Sequence, residues 1–276
     1  MTSASLNLSA DDITWVKAHA AGVMQTFWRE FDAAKDRFKE GELLLDRFNG
    51  AIDSVLKKGR GHFSAVDEAH NEICIASALL ANTRLRFIRL EYEPPLLSCA
   101  RTIDFRATAH NGQIVYVDVK TIRPQAADRW DQFEKATKKG WVADNVNVVI
   151  SEEWLGGEIW HTWFAARARM LEYAMELESQ IADGNLAREN ILFVLALCGD
   201  GFRWQHDGLE DFVSFYYSGV HRADDAFSKA ELRYIVDKKI ALKRMISRFA
   251  YMKRPQSQIH PARINWNVRP PRDLFF

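Results

Sequence analysis

Three cysteines in 276 residues (Cys74, Cys99 and Cys198) form no disulfide framework, sit among apolar neighbours and lack the spacing of a zinc site. No apolar run approaches the length that spans a bilayer; the longest, Ile191 to Cys198, reads as a buried strand. The N-terminus lacks the basic and apolar regions of a secretory signal. Together these absences lead us to expect a soluble protein of a reducing cytoplasm, with no membrane partner. Also missing are a Gly-x-x-x-x-Gly-Lys phosphate loop, a Gly-x-Ser-x-Gly elbow, any internal repeat and any low-complexity tract. Nucleotide-triphosphate and serine-esterase chemistry therefore have no foothold in the sequence.

Net charge is absent too, but its zero conceals an asymmetry. Residues 229–276 carry 12 Lys/Arg against 3 Asp/Glu, so that segment is +9 and the preceding 228 residues are −9. A basic segment of this kind suits a phosphate backbone. The same charges also fit the solvated side of a helix, with Lys229, Arg233, Arg244 and Arg248 outward and Leu232, Ile235, Leu242 and Phe249 toward the core.

What is present is ordinary globular material, 47% hydrophobic and 27% charged, enough for one elaborated domain or a domain with helical additions. Ser9, followed by Asp11 and Asp12, starts a helix whose apolar rhythm runs from Ile13 to Phe38 and resumes from Leu43 to Leu56. A helix around Glu72 follows, then a strand from Phe87 to Tyr92 stopped by Pro94-Pro95. Later elements are a crossover helix over Trp130–Lys139, a strand over Val146–Ile150 and a long helix over Trp160–Ile181. Ile191–Cys198 is the last expected strand, ahead of helices near Leu209–Tyr217 and Ala226–Tyr251.

The chemistry lies between Glu72 and Lys120. From Thr102 to Thr108 and from Gln113 to Thr121 the residues alternate with period two. Ile103, Phe105 and Ala107 share one face of the first strand, as Val115, Val117 and Val119 share one face of the second. Thr102, Asp104 and Arg106, and Tyr116, Asp118 and Lys120, occupy the opposite faces. A two-residue Asn111-Gly112 turn would mix these faces. A three-residue loop, His110-Asn111-Gly112 with Gly112 left-handed, sets Asp104 opposite Asp118 and Ile103 opposite Val119. Facing carboxylates roughly 4.5–5.5 Å apart at Cβ repel one another unless they share a cation.

The ordered set of Glu72 on a helix, Asp104 on a strand and Asp118-Val119-Lys120 on the paired strand resembles the PD-(D/E)XK, or restriction-endonuclease-like, nuclease superfamily. Ile75, Ala76 and Leu79 follow Glu72 at the spacing that sets an acidic residue against a buried stripe; Glu68 lacks that stripe. Ile103 stands where the family often has proline, and Asp118 where glutamate is commoner.

The resemblance implies an α/β fold: a restriction-endonuclease-like core with a mixed central sheet flanked by helices, plus N- and C-terminal helical additions. We divide the chain into a helical region (1–60), the nuclease-like core (61–222) and a basic C-terminal helix and tail (223–276), with a single domain as the alternative. It implies a nuclease in which Asp104, Asp118 and the Val119 carbonyl hold Mg²⁺ or Mn²⁺, with Glu72 reaching the metal directly or through water. Lys120 would orient the attacking water or neutralise the transition state, and the product would carry a 5′-phosphate. Arg106, Lys239, Lys243, Arg244 and Arg248 are the expected nucleic-acid contacts, DNA being the expected polymer. Lys57, Lys58 and Arg60 offer a second path. Trp266 is a stacking candidate, whereas Glu158 and His161 lack the second pair a di-metal helix site needs. The rival reading is a nucleic-acid-binding or protein-interaction module that kept the fold without catalysis. An oligomer built through the terminal helices is compatible with both.

Overall fold

A computed structural model of the chain describes residues 8–59, 63–95, 102–122, 162–186, 190–199, 206–218 and 242–253. The expected helix over Trp130–Lys139 and strand over Val146–Ile150 lie outside these residues. So do Cys99, Glu158, His161, Trp266, Arg60 and Lys239.

The first helix, α1, spans Ala10–Ala33 and starts as its sequence prescribes. Ser9 Oγ accepts the N–H of Asp12 (3.1 Å), and the Asp12 carboxylate accepts the N–H of Ser9 (3.3 Å). Val16, Ala20, Val23, Phe27 and Phe31 form its buried stripe. A two-residue strand, β1 (Phe38–Lys39), interrupts the expected helical run before α2 (Gly41–Lys58). Helix α3 (Phe63–Ala81) carries Glu72 and is buried at every position from Ala69 to Leu80, so it is sandwiched rather than amphipathic.

The remaining elements are β2 (Phe87–Tyr92), β3 (Phe105–Ala109), β4 (Ile114–Ile122), α4 (Thr162–Asp183), β5 (Ile191–Gly199), α5 (His206–Ser218) and β6 (Arg248–Lys253). The six strands form one mixed sheet in sequence order. β1 is parallel to β2, β2–β3–β4 form an antiparallel meander, and β4, β5 and β6 run parallel. One apolar cluster joins α1, α2 and α3 to Phe105, Ala107, Val115, Val117 and Val119. The other joins α4 and α5 to Tyr116, Phe193, Leu195 and Leu197. The protein is thus α/β, with a six-stranded mixed sheet flanked by helices on both faces.

The hairpin has the register read from the sequence. Phe105 pairs with Val117, Arg106 with Tyr116 and Ala107 with Val115. The loop has three residues: Ala109 N–H bonds to the Gln113 carbonyl (2.8 Å), Gly112 N–H bonds to the Ala109 carbonyl (3.0 Å), and Gly112 has φ 82°. β3 nevertheless starts three residues later than expected. Thr102 makes an isolated bridge with Pro95, and Ile103 packs in the second cluster instead of beside Phe105.

The C-terminal segment corrects the sequence reading. Where a helix was expected to run to Tyr251, residues 242–247 have no regular structure and β6 follows; Ile191–Cys198 is not the last strand. Glu178 on α4 accepts the N–H groups of Lys243 (2.6 Å) and Met245 (3.0 Å) as well as the Tyr216 hydroxyl, while Arg244 sits at φ 56°. Backbone donors committed to a side chain, with a left-handed residue between them, cannot continue a helix. Beyond this clamp the period is two: Ala250 and Met252 enter the first cluster, Phe249 and Tyr251 the second. The sheet therefore draws strands from 1–60, 61–222 and 223–276 alike.

Candidate functional site

At the end of β3 the ladder gives way to a side chain. The Val119 N–H, which would otherwise face the next β3 residue, donates to Asp104 Oδ2 at 2.6 Å, while the Asp104 carbonyl accepts the N–H of Glu93 (2.8 Å). The ladder ends at Phe105–Val117, and beyond it Asp104 and Asp118 lie near enough for the charge of Asp118 to act on Asp104. Strand parity also turns the Val119 carbonyl toward the side on which β3 has ended.

Asp118 is 3% exposed, and its buried Oδ2 is ion-paired with Lys120 Nζ at 3.4 Å. Lys120 is shared with Glu176 of α4 (3.3 Å) and stands over the Tyr173 ring. Burial, then the charges of Asp118 and Glu72, push the Asp104 carboxyl well above the usual range; the Val119 N–H and Lys120 only partly oppose this. Burial also raises Asp118, against Lys120 and with Glu176. Burial disfavours the Lys120 ammonium, yet Asp118, Glu176 and Asp104 outweigh it and push the group up.

Glu72 approaches this pair from α3 and is 4% exposed. Its Oε2 accepts from Arg47 Nη1 (2.7 Å) and from the Tyr92 hydroxyl (2.9 Å), and Arg47 also donates to the Tyr92 oxygen (2.7 Å). Burial carries the Glu72 carboxyl up to about 7 despite Arg47 and Tyr92, with Glu93 and Glu68 adding to the rise. Glu72, not Glu68, is among the charges that act most on Asp104.

The structure therefore brings Glu72, Asp104, Asp118, Val119 and Lys120 into one locale. It does not bring the basic residues there. Arg106 is engaged by Glu91 across the strands (3.4 Å). Lys243, Arg244 and Arg248 are exposed at the approach to β6, two strands away from β4. By parity Arg248 shares the face of Ala250 and Met252, opposite to that of Asp118 and Lys120. Arg47, Tyr92 and Glu176 were missed in the sequence. Arg47 left a signal: it lies three residues after Leu44 and four before Ala51, both buried, and a cation on a core stripe requires a partner.

Among the described residues no group of three or more His, Cys, Asp and Glu side chains is gathered to hold a metal ion. The oxygen donors at hand are the two aspartates and the Val119 carbonyl, with Glu72 committed to Arg47 and Tyr92. Such a set fits a hard divalent cation that keeps most of its waters, with the buried Asp118 carboxylate as one of its ligands. Among the described residues no helix is long and apolar enough to cross a membrane. Comparison with protein-family models, with curated proteins and with solved structures finds no match.

Proposed function

We propose that this chain is a metal-dependent nuclease, hydrolysing phosphodiester bonds in nucleic acid, with DNA the expected substrate, on a restriction-endonuclease-like core. The chain order supports that core: acidic helix α3, apolar strand β2, the Asp104 strand, a hairpin and the Asp-Val-Lys strand β4. The observation that carries the function is the pair of buried carboxyls, Asp104 and Asp118, crowded together beside the Lys120 ammonium. Two carboxyls that burial pushes above the usual range, one of them also through the charge of the other, suit binding chemistry better than packing.

Asp104, Asp118 and the Val119 carbonyl would hold Mg²⁺ or Mn²⁺, which would acidify a bound water and offset charge on the phosphate. Lys120, kept charged by Asp118 and Glu176, orients the attacking water or neutralises the developing phosphate charge. Glu72, with a carboxyl near 7, is matched to exchange a proton at neutral pH and is steered by Arg47 and Tyr92. The buried thiols of Cys74 and Cys198 suit the cytoplasm.

Linear, circular and single-stranded DNA incubated with Mg²⁺, Mn²⁺ or EDTA test this reading. Cleavage should need the metal and fall by about 100-fold or more in Asp118→Ala and in Lys120→Ala, both with wild-type circular dichroism. Wild-type rates in both variants would sink the assignment. Tight binding with no cleavage under any metal would favour the non-catalytic module, to which the existing Arg47–Glu72 ion pair also lends itself.

A further inference from the structure

The carboxylate site needs a cation for its substrate, and the residue placed to supply one is not among those the sequence pattern singles out. Glu72, Glu93, Asp104, Asp118 and Glu176 surround the site, and Arg47 and Lys120 are the cations bound to them among the described residues. With every group ionised, five negative charges less two positive leave three uncompensated. A divalent ion, which binds the ionised carboxylates, lowers that to one, so with the metal bound an approaching phosphodiester meets a net negative site.

The two cations are not equivalent. Lys120 is held between Asp118 (3.4 Å) and Glu176 (3.3 Å), and its side chain is only 21% exposed. Arg47 keeps 41% of its side chain exposed while its partner Glu72 keeps 6%. Among the described residues its contacts, to Glu72, Tyr92 and Glu93 (3.6 Å), all run through Nη1. A guanidinium is a planar fork suited to bidentate contact with phosphate oxygens. Its contact with Glu72 is also replaceable. The Tyr92 hydroxyl donates to the same Oε2, so Glu72 keeps a hydrogen bond when Arg47 moves. Glu93 lies at the exposed end of this group, in a left-handed backbone (φ 44°) whose N–H is tied to the Asp104 carbonyl. It offers Arg47 a second anchor on the outer side.

We propose that Arg47 is the substrate-phosphate receptor of this site, exchanging its contact with Glu72 for a phosphodiester oxygen of the bound nucleic acid. This inference rests on the nuclease reading above and adds to it a binding residue from α2, outside the segment that resembles the nuclease motif. Lys120 serves the reacting water on one side of the aspartate pair, and Arg47 serves the polymer on the other.

The test is the salt dependence of kcat/KM for Mg²⁺-dependent cleavage of a defined DNA oligonucleotide by the wild type, Arg47→Met, Arg47→Lys and Tyr92→Phe. Arg47→Met should raise KM about tenfold or more, as expected for a lost charge-assisted contact. It should also flatten the negative slope of log kcat/KM against log salt by about 0.7–0.9, the signature of one lost phosphate contact. Arg47→Lys should keep the wild-type slope, because the charge remains. Tyr92→Phe breaks the same hydrogen-bond group without removing a charge and should also keep it. Equal slopes in the wild type and Arg47→Met would overturn the inference while leaving the nuclease reading intact, as would a slope flattened equally by Tyr92→Phe. Absence of metal-dependent cleavage by the wild type would overturn both. If Arg47→Met fails to fold, Arg47→Gln, which can still hydrogen-bond Glu72 but carries no charge, takes its place: a flattened slope supports the phosphate role, and a wild-type slope rejects it.

Discussion

Asp104, Asp118 and Glu72 hold their protons more tightly in the folded chain than unfolded carboxyls do, and burial is the first cause in each case. A carboxyl raised on folding makes its full contribution to stability below its unfolded value. That contribution is lost as pH rises through the folded value, because the unfolded state releases its proton first. For Glu72 the window runs from 4.5 to about 7. The metal-free protein should therefore lose stability to urea across this range, and Asp118→Asn should flatten the decline by removing one of the facing charges. Mg²⁺ at 100 times its dissociation constant should restore about 2.7 kcal/mol at pH 7, the mass-action gain of a ligand that binds only the folded state. If the pH profiles of wild type and Asp118→Asn superimpose, the aspartate pair stores no repulsion and the site has no electrostatic reason to recruit a cation.

At the scale of elements, the hairpin was legible because two constraints agreed. The apolar parity of Phe105, Ala107, Val115 and Val117 demanded an odd register, and Gly112 could supply the left-handed residue that this register requires. No atoms crowd a Cβ built at Gly112, so Gly112→Ala isolates the backbone effect and should cost about 1–2 kcal/mol in urea unfolding, with Gly112→Asn costing less. Equal stabilities would mean that the turn does not set the register. Other elements were not legible, because their causes lie far along the chain. β3 begins late since the Asp104 carboxylate, fifteen residues from Val119, takes the N–H that a strand would have used. The last strand was hidden by Leu242 and Phe249, which fit a helical stripe until Glu178, 65 residues upstream of Lys243, captures the backbone before β6. Arg47 and Glu72 are 25 residues apart and meet only because α2 packs on α3. Asp104, Asp118 and Lys120 could be brought together from the sequence because one hairpin and its approach carry them. The residues that steer them were missed because their spacing is tertiary.

For the whole molecule, the decisive feature is that α3 has no solvent face through most of its length. A helix buried all round needs cover on two sides. The sheet provides one side, through contacts with β2 and β4, and the N-terminal helices provide the other. Phe27, Phe31, Leu44 and Phe48 share a single cluster with Ile73, Val115 and Val117, so the layer that carries Arg47 is continuous with the layer that carries Glu72. Removing residues 1–58 would uncover one side of α3. Five apolar side chains re-exposed at about 1.5–3 kcal/mol each would already match the ~5–15 kcal/mol that a typical domain has in total. A chain of residues 59–276 should therefore lack a cooperative unfolding transition and be degraded at protease concentrations the full chain survives. A cooperative transition in that shortened chain would make α1 and α2 an appendage. Arg47 would then come from a detachable layer, and the shortened chain should still bind metal while losing the salt-dependent grip on nucleic acid assigned to Arg47.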